Sequence, residues 1–334
     1  MTQNIKSIKK VELHRHLELT LKKATILDWV SEDRGLKLSD QQYDDQFLIL
    51  EPMGDLGSVL KKFLGVQALL SNPKRLERLA FEAVENAYQL ENIRVLELRY
   101  APTFLTQDHS KFLANHLAIV SGIKAAQNKY PIAVGLIAII QRILSVDIAA
   151  SVIDFVIEHK NTFVGLDLAD NEDGFDSKPF ATHFLRGKKS GLKVTIHAGE
   201  LPSDKSPKFV KEAIEVLGAD RIGHGLHVYR NPAIAKEIAK QNILLELCPT
   251  SNVLTGSVKS IKDHPIRTLQ ELNVPISINT DDPSIFNTDM NVEYNLLAKH
   301  LGFLSEEFLS INDVAAKHSF IAQSDVKRFW ANEA

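Results

Sequence analysis

Short aliphatic runs alternate with long amphipathic stretches along most of the chain. Eight runs have the make-up of buried strands: Lys10–Leu13, Ile93–Leu98, Ile132–Ile139, Phe163–Leu168, Leu192–Ile196, Arg221–Gly223, Ile243–Leu247 and Ile276–Asn279. Several are aliphatic or β-branched throughout, as expected of parallel strands covered on both faces. Between them, apolar residues recur at helical spacing, for example over Val146 to His159 and Lys208 to Leu217. Strands alternating with helices predict a parallel sheet, and eight such units predict closure into a (β/α)8 TIM barrel.

The connection after the first run is unusually long, from about His14 to Asn92, and carries helical patterns over Leu56 to Leu70 and Leu76 to Tyr88. Strand-to-helix loops build the active-site face of such barrels, so this helical insertion is a candidate wall or lid. An insertion that only adds stability is the other reading of the same pattern. No linker, repeat or low-complexity tract divides the chain, which predicts one domain over residues 1–334.

Composition narrows the function. The 334 residues are 44% hydrophobic, with 39 basic and 42 acidic side chains and a formal net charge of -3. That balance leaves no electrostatic footprint for nucleic acid or an anionic membrane. The single cysteine, Cys248, excludes an intramolecular disulfide and a cysteine-rich zinc site. The first residues are polar, and the longest strongly apolar run, Pro131 to Ile140, is far short of a membrane span. A cytoplasmic location is expected.

Candidate chemistry clusters at the carboxyl ends of the predicted strands. The first runs into Glu12-Leu13-His14-Arg15-His16-Leu17-Glu18, and the period of two puts His14 and His16 on one side. The fifth leads into His197-Ala198-Gly199-Glu200, the sixth into His224, and the eighth into Asp281-Asp282-Pro283. Taken singly, each has a plainer reading: H-x-H as two polar residues leaving a sheet, Asp-Asp-Pro as a helix N-terminus. Their joint placement on the face where barrel enzymes keep their catalytic groups favours a site. His14, His16, His197 and Asp281 form a nitrogen and oxygen set suited to one Zn²⁺ ion or another borderline divalent metal. Such an ion lowers the pKa of a water toward neutrality.

The segments VELHRHLE, LELRYAP, GLDLAD, HAGE, RIGHG, LELCPTSN and NTDDP, spread from about residue 10 to 285, resemble in order the motifs of the adenosine deaminase family. The resemblance implies a (β/α)8 barrel and hydrolytic deamination of adenosine or 2′-deoxyadenosine. It implies one zinc per chain on His14, His16, His197 and Asp281. Glu200 matches the glutamate that protonates purine N1, and His224 the histidine that orients the attacking water and is a candidate for taking its proton. Asp282 matches the aspartate that contacts purine N7 and that water. Glu18 stands where the family carries its ribose-binding carboxylate, and His16 also borders the substrate. HAGE and RIGHG favour the nucleoside branch over the related adenine deaminases.

Two positions depart from the family pattern. Leu19 and Asp170 stand where glycine is usual, and at the second the family's backbone N–H meets purine N3; Asp170 could still donate its own. Within the same chemistry, a nucleoside with a modified 5′ group, of the aminodeoxyfutalosine or adenosine thioether type, is the alternative substrate. A binuclear amidohydrolase and an inactive nucleoside-binding relative are the other readings. The first is disfavoured because no lysine follows the fourth strand, and the second because the metal and catalytic positions are all present. Leu56, Val59, Leu60 and Phe63 have the spacing of a hydrophobic gate over the base, or simply of core. Cys248 reads as a small buried hydrophobe and Arg99 as an ion-pair partner. His227 is ambiguous. The remaining histidines, such as His109, His159 and His300, are expected at the surface. A small purine nucleoside is the expected partner, and the oligomeric state is left open.

Overall fold

In a computed structural model, which describes residues 4–52, 56–70 and 72–330 (side chains of 56–60 excepted), the eight predicted runs become eight parallel strands. They are β1 (Lys10–His16), β2 (Ile93–Tyr100), β3 (Ala133–Gln141), β4 (Gly165–Ala169), β5 (Lys193–Ala198), β6 (Arg221–His224), β7 (Leu244–Leu247) and β8 (Ile276–Ile278). They hydrogen-bond in sequence order. A parallel bridge between Arg15 and Asp281 brings the far edge back to β1. At this seam the His16 N–H donates to the Asp281 carbonyl and the Asp281 N–H to that of His14, each at 2.9 Å. The Asn279 side chain stands in for a missing ladder bond by accepting from the Leu13 N–H at 3.0 Å. The result is a (β/α)8 TIM barrel.

Strand alternation sorts the residues into two environments. In β1, Val11 and Leu13 pack outward in a cluster with Val95, Leu244, Ala315 and Ala316, the last two from the helix Ser305–His318. The residues between them face inward. The barrel interior is polar: Glu97 and Arg99 of β2, Asp167 of β4, Thr195 of β5, Arg221 of β6 and Glu246 of β7 bond to one another across the axis. All of them are buried. Buried charges survive only when paired, and here each carboxylate meets a guanidinium.

Four helices lie between β1 and β2: Lys23–Arg34, Asp40–Phe47, Leu56–Gln67 and Pro73–Gln89. The last two follow the sequence patterns. The first two were not predicted, because Lys23–Arg34 interrupts its apolar positions with charge and Asp40–Phe47 is mostly polar. The second starts from a capping box, in which Ser39 accepts the Gln42 N–H and the Gln42 side chain accepts the Ser39 N–H. Among the described residues, no helix is long and apolar enough to cross a membrane.

Candidate active site

β1 turns both His14 and His16 toward the mouth of the barrel, β5 supplies His197, and the residue closing the seam, Asp281, supplies a carboxylate. One ligand atom from each lies within 4.8 Å of the others. His14 Nε2 is 3.2 Å and His16 Nε2 3.1 Å from Asp281 Oδ1. The backbone pays locally for this convergence: His224, Asp281 and Asp170 have φ of 58, 62 and 80°. Left-handed backbone costs a non-glycine residue about 1–2 kcal/mol and collects at functional sites. Gly223 makes room for the rings, since a Cβ there would stand 3.1 Å from His14 Cε1 and 3.2 Å from His197 Nδ1 and would press on both imidazoles.

Beneath the cluster, two carboxylates orient two of the imidazoles. Glu246 Oε2 lies 2.9 Å from His14 Nδ1, and Asp167 Oδ1 3.0 Å from His197 Nδ1. Each bond leaves Nε2 pointing up as a free lone pair, the usual arrangement behind a metal-binding histidine. Arg99 ties the two supports together, donating to Asp167 at 2.7 Å and to Glu246 at 2.8 Å. The expected ion-pair partner is therefore the beam under the whole cluster. Burial drives His197 down to about 3 despite Asp167, so its ring is neutral.

The cluster is built for a cation. His14 Nε2 is buried with no hydrogen-bond partner among the described residues. It faces a carboxylate oxygen, so acceptors converge with nothing between them. Burial alone would lower His16, but Asp282 and Asp281 outweigh it and raise the ring to about 9. Burial likewise works against ionised Asp281, yet the adjacent His14 and His16 imidazoles hold it well below the usual carboxylate range. Both shifts say that positive charge is favoured between these groups. Three imidazoles and one carboxylate fit zinc by number and type.

Glu200, His224 and Asp282 surround the cluster. Glu200 is half-buried, with Oε1 accepting from Thr255 Oγ1 at 3.2 Å and Oε2 3.7 Å from His224 Nε2. His224 Nε2 is also 3.9 Å from Asp281 Oδ2. Asp282 is buried, and Oδ1 has no partner among the described residues. Burial and the neighbouring Asp281 push its carboxyl up to about 8. Glu172, which the sequence reading missed, clamps the turn that carries Glu200. Its two oxygens accept the N–H groups of Gly199 at 2.7 Å and Leu201 at 2.8 Å, on either side of that residue. An acid three residues past the end of β4 was the available signal. Gly199 has φ 73°, and a Cβ there would come within 2.5 Å of Val210, so the turn needs glycine.

Glu18 sits at the rim, buried, with Oε1 accepting the Ala101 N–H at 2.7 Å and Oε2 unpartnered among the described residues. Burial raises it to about 7. Leu19 is buried beside it. Asp170 has left-handed backbone, and its Oδ2 accepts from Gln141 Nε2 at 3.0 Å. Of the gate residues, the side chains of Leu56, Val59 and Leu60 lie outside the described residues, and Phe63 is half-buried against the core. A cavity of about 390 Å³ lies behind Glu172, against the outward residues Ile196 and Ala198 of β5, and receives none of the converging metal or proton-handling groups.

The plainer readings are mostly upheld. Cys248 is fully buried, with its thiol held well above the ordinary value by burial. His227 is buried and bonds the Ser257 carbonyl at 2.9 Å. His109 is exposed, whereas His159 and His300 are half-buried. Two of the histidines expected at the surface are instead interior. His116 lies between the Tyr100 and Thr162 hydroxyls at 2.8 and 2.7 Å, and His264 lies against Asn252. Paired polar partners make a histidine compatible with burial, and those partners are distant in sequence.

The chain is also similar to known proteins. Residues 9–332 match the family model described as adenosine deaminase. The chain is 37% identical over 327 residues to an adenosine deaminase of Plasmodium knowlesi, covering 96% of this chain and 89% of that one. Among solved structures it resembles the apo N6-methyl-AMP deaminase of Arabidopsis thaliana, with TM-score 0.81 and 25% identity over 97% of this chain and 96% of that one. A Burkholderia ambifaria amidohydrolase solved with bound zinc shares the fold, with TM-score 0.83 and 22% identity over 96% and 88% of the two chains.

Proposed function

Because the chain belongs to the adenosine deaminase family, hydrolases of carbon–nitrogen bonds, we propose that it converts adenosine and 2′-deoxyadenosine to inosine and 2′-deoxyinosine with release of ammonia. The observation that carries this reading is the meeting of His14, His16, His197 and Asp281 with Glu200, His224 and Asp282 at one mouth. The family is metal-dependent, and one zinc per chain, held by the first four residues, would supply a water of lowered pKa beside the base.

The remaining work falls to this chain's own groups. Glu200 delivers a proton to purine N1, which withdraws electrons from C6 and opens it to water. His224 holds the attacking water against that carbon. Asp282, with Oδ1 free and burial favouring its protonated form, gives a hydrogen bond to N7. The Asp170 backbone N–H would donate to N3. Water adds to C6 and gives up a proton that restores the one Glu200 spent on N1. The new C6 hydroxyl then passes its proton to the amino group as the C6–N bond breaks, and ammonia leaves.

The rim supports a nucleoside over a nucleotide. Glu18, Asp170, Asp282 and Glu200 all present carboxylates, while the nearby cation, Arg142, is buried and spends one nitrogen on the Leu168 and His197 carbonyls. A sugar hydroxyl could satisfy Glu18 Oε2, which has no partner among the described residues. Ammonia release across adenine, adenosine, 2′-deoxyadenosine, AMP and 5′-modified adenosines tests this. Adenosine or its 2′-deoxy form should have the highest kcat/KM. A higher value for adenine or AMP than for every nucleoside would overturn the substrate class, and two metals per chain would overturn the site.

A further inference from the structure

The segment that follows β7 includes a buried asparagine that the reaction above does not use. Asn252 is fully buried in the short helix Pro249–Leu254, and its amide lies between two buried histidines. Its Nδ2 is 3.2 Å from His224 Nδ1 and its Oδ1 3.2 Å from His264 Nε2. Beyond His264, the Ile266 backbone N–H meets His264 Nδ1 at 3.2 Å.

The direction of every bond in this row follows from its far end. A backbone N–H can only donate, so His264 Nδ1 accepts, and a neutral ring then carries its proton on Nε2. That N–H needs an acceptor, which selects the Asn252 carbonyl oxygen and fixes which way the amide faces. The amide NH₂ is left toward His224 and can only donate. His224 Nδ1 must therefore be a bare lone pair, with the proton on Nε2. Turning the amide over would set NH₂ against the His264 N–H in a place sealed from water.

We propose that Asn252 and His264 are positioning residues that hold His224 in its Nε2–H tautomer. In that form the N–H points toward Glu200 Oε2 and Asp281 Oδ2, at 3.7 and 3.9 Å. It can give a hydrogen bond to the oxygen of the attacking water and keep that oxygen in line with C6. In the opposite tautomer a lone pair would face two carboxylates, and His224 could not hold the water this way. The inference rests on the deaminase reading for its consequence but not for its geometry.

The test reads the ring nitrogens directly, in zinc-loaded protein carrying ¹⁵N-histidine, with His224 assigned by its loss in His224→Gln. Wild type should show a protonated Nε2 and an unprotonated Nδ1. Asn252→Asp replaces the donor by an acceptor and should move the proton to Nδ1. Its kcat should fall at least about tenfold, with KM within about twofold and zinc content unchanged. His264→Gln keeps a donor for the Asn252 carbonyl and should retain most activity, whereas His264→Leu should not. A wild-type His224 protonated on Nδ1 overturns the proposal, as do equal rates in the two His264 variants. Should Asn252→Asp lose zinc or fail to fold, the wild-type spectrum and the His264 pair still decide. A protein with the expected tautomer that deaminates no purine would sink the functional reading and leave this one standing.

Discussion

Two layers of buried charge lie one above the other in this barrel, and they treat their polar atoms differently. In the lower layer both oxygens of Glu97, Asp167 and Glu246 are engaged by arginine, histidine, hydroxyl or backbone donors. In the upper layer His14 Nε2, Glu18 Oε2 and Asp282 Oδ1 are buried and without hydrogen-bond partners among the described residues. The layers share residue types and burial, so composition does not separate them. Satisfaction does: the carboxylates of the lower layer are complete as protein, although Arg99 Nε is unpartnered among the described residues, and the upper layer has carboxylate and imidazole atoms to offer a ligand. Removing a residue should therefore cost stability below and chemistry above.

The largest effect expected is above. Glu200→Gln keeps the shape but cannot carry a proton to N1, and kcat should fall about 10²–10⁴-fold. Zinc content and the unfolding midpoint should stay near wild type, and normal turnover would remove Glu200 from the mechanism. The matching cut below is Glu97→Leu, which removes one of the two buried carboxylates paired with Arg221 and leaves Glu246 as the other. Breaking a buried pair costs about 3–5 kcal/mol, to be read from denaturant unfolding, with one zinc per chain still bound. A loss under about 1 kcal/mol would mean that the lower layer is not the structural one.

A buried histidine away from both layers sharpens the comparison through pH. Burial and the neighbouring His159 lower His116 to about 4, against 6.5 unfolded. Between those values the unfolded chain binds the extra proton, so stability falls as pH drops from about 6.5 toward 4, by up to ~3 kcal/mol for this group. His116→Gln should make that fall shallower, and an unchanged slope would contradict it. The smallest effect belongs to Glu18→Ala. Stability should fall by about 1–3 kcal/mol, all of it from the Ala101 N–H that loses Oε1, because Oε2 has no protein partner to lose. The preference for adenosine over 5′-deoxyadenosine should shrink, with zinc unchanged.

The sequence carried the order of strands because buried parallel strands are aliphatic on their outward face whatever lies inside. It was less informative about where they end. β1, β2 and β5 run on through His16, Tyr100 and Ala198, where inward polar residues interrupt the apolar signal while the ladder continues. β8 stops earlier than read, at Ile278, since Asn279 gives its side chain to β1. The candidate site residues were legible because each follows a strand run directly. Glu172, Asn252 and His264 were not, since each acts through a hydrogen bond to a residue distant in sequence. The left-handed backbones at His224 and Asp281 were only faintly signalled, since histidine and aspartate adopt that conformation more often than most residues yet too seldom for type alone to place it.

The seam that joins Asp281 to His14 and His16 has a consequence for how such a molecule is made. A chain leaves the ribosome amino end first, so all three histidines exist long before the carboxylate that completes their set. Until β8 arrives the sheet has two open edges, and the histidines of β1 have no wall to lean on. A prematurely ended product thus lacks both the last hydrogen bonds of the barrel and the fourth donor of the cluster. On the proposed reading, capture of an ion would work as an inspection step, passed only by chains that have been finished and shut.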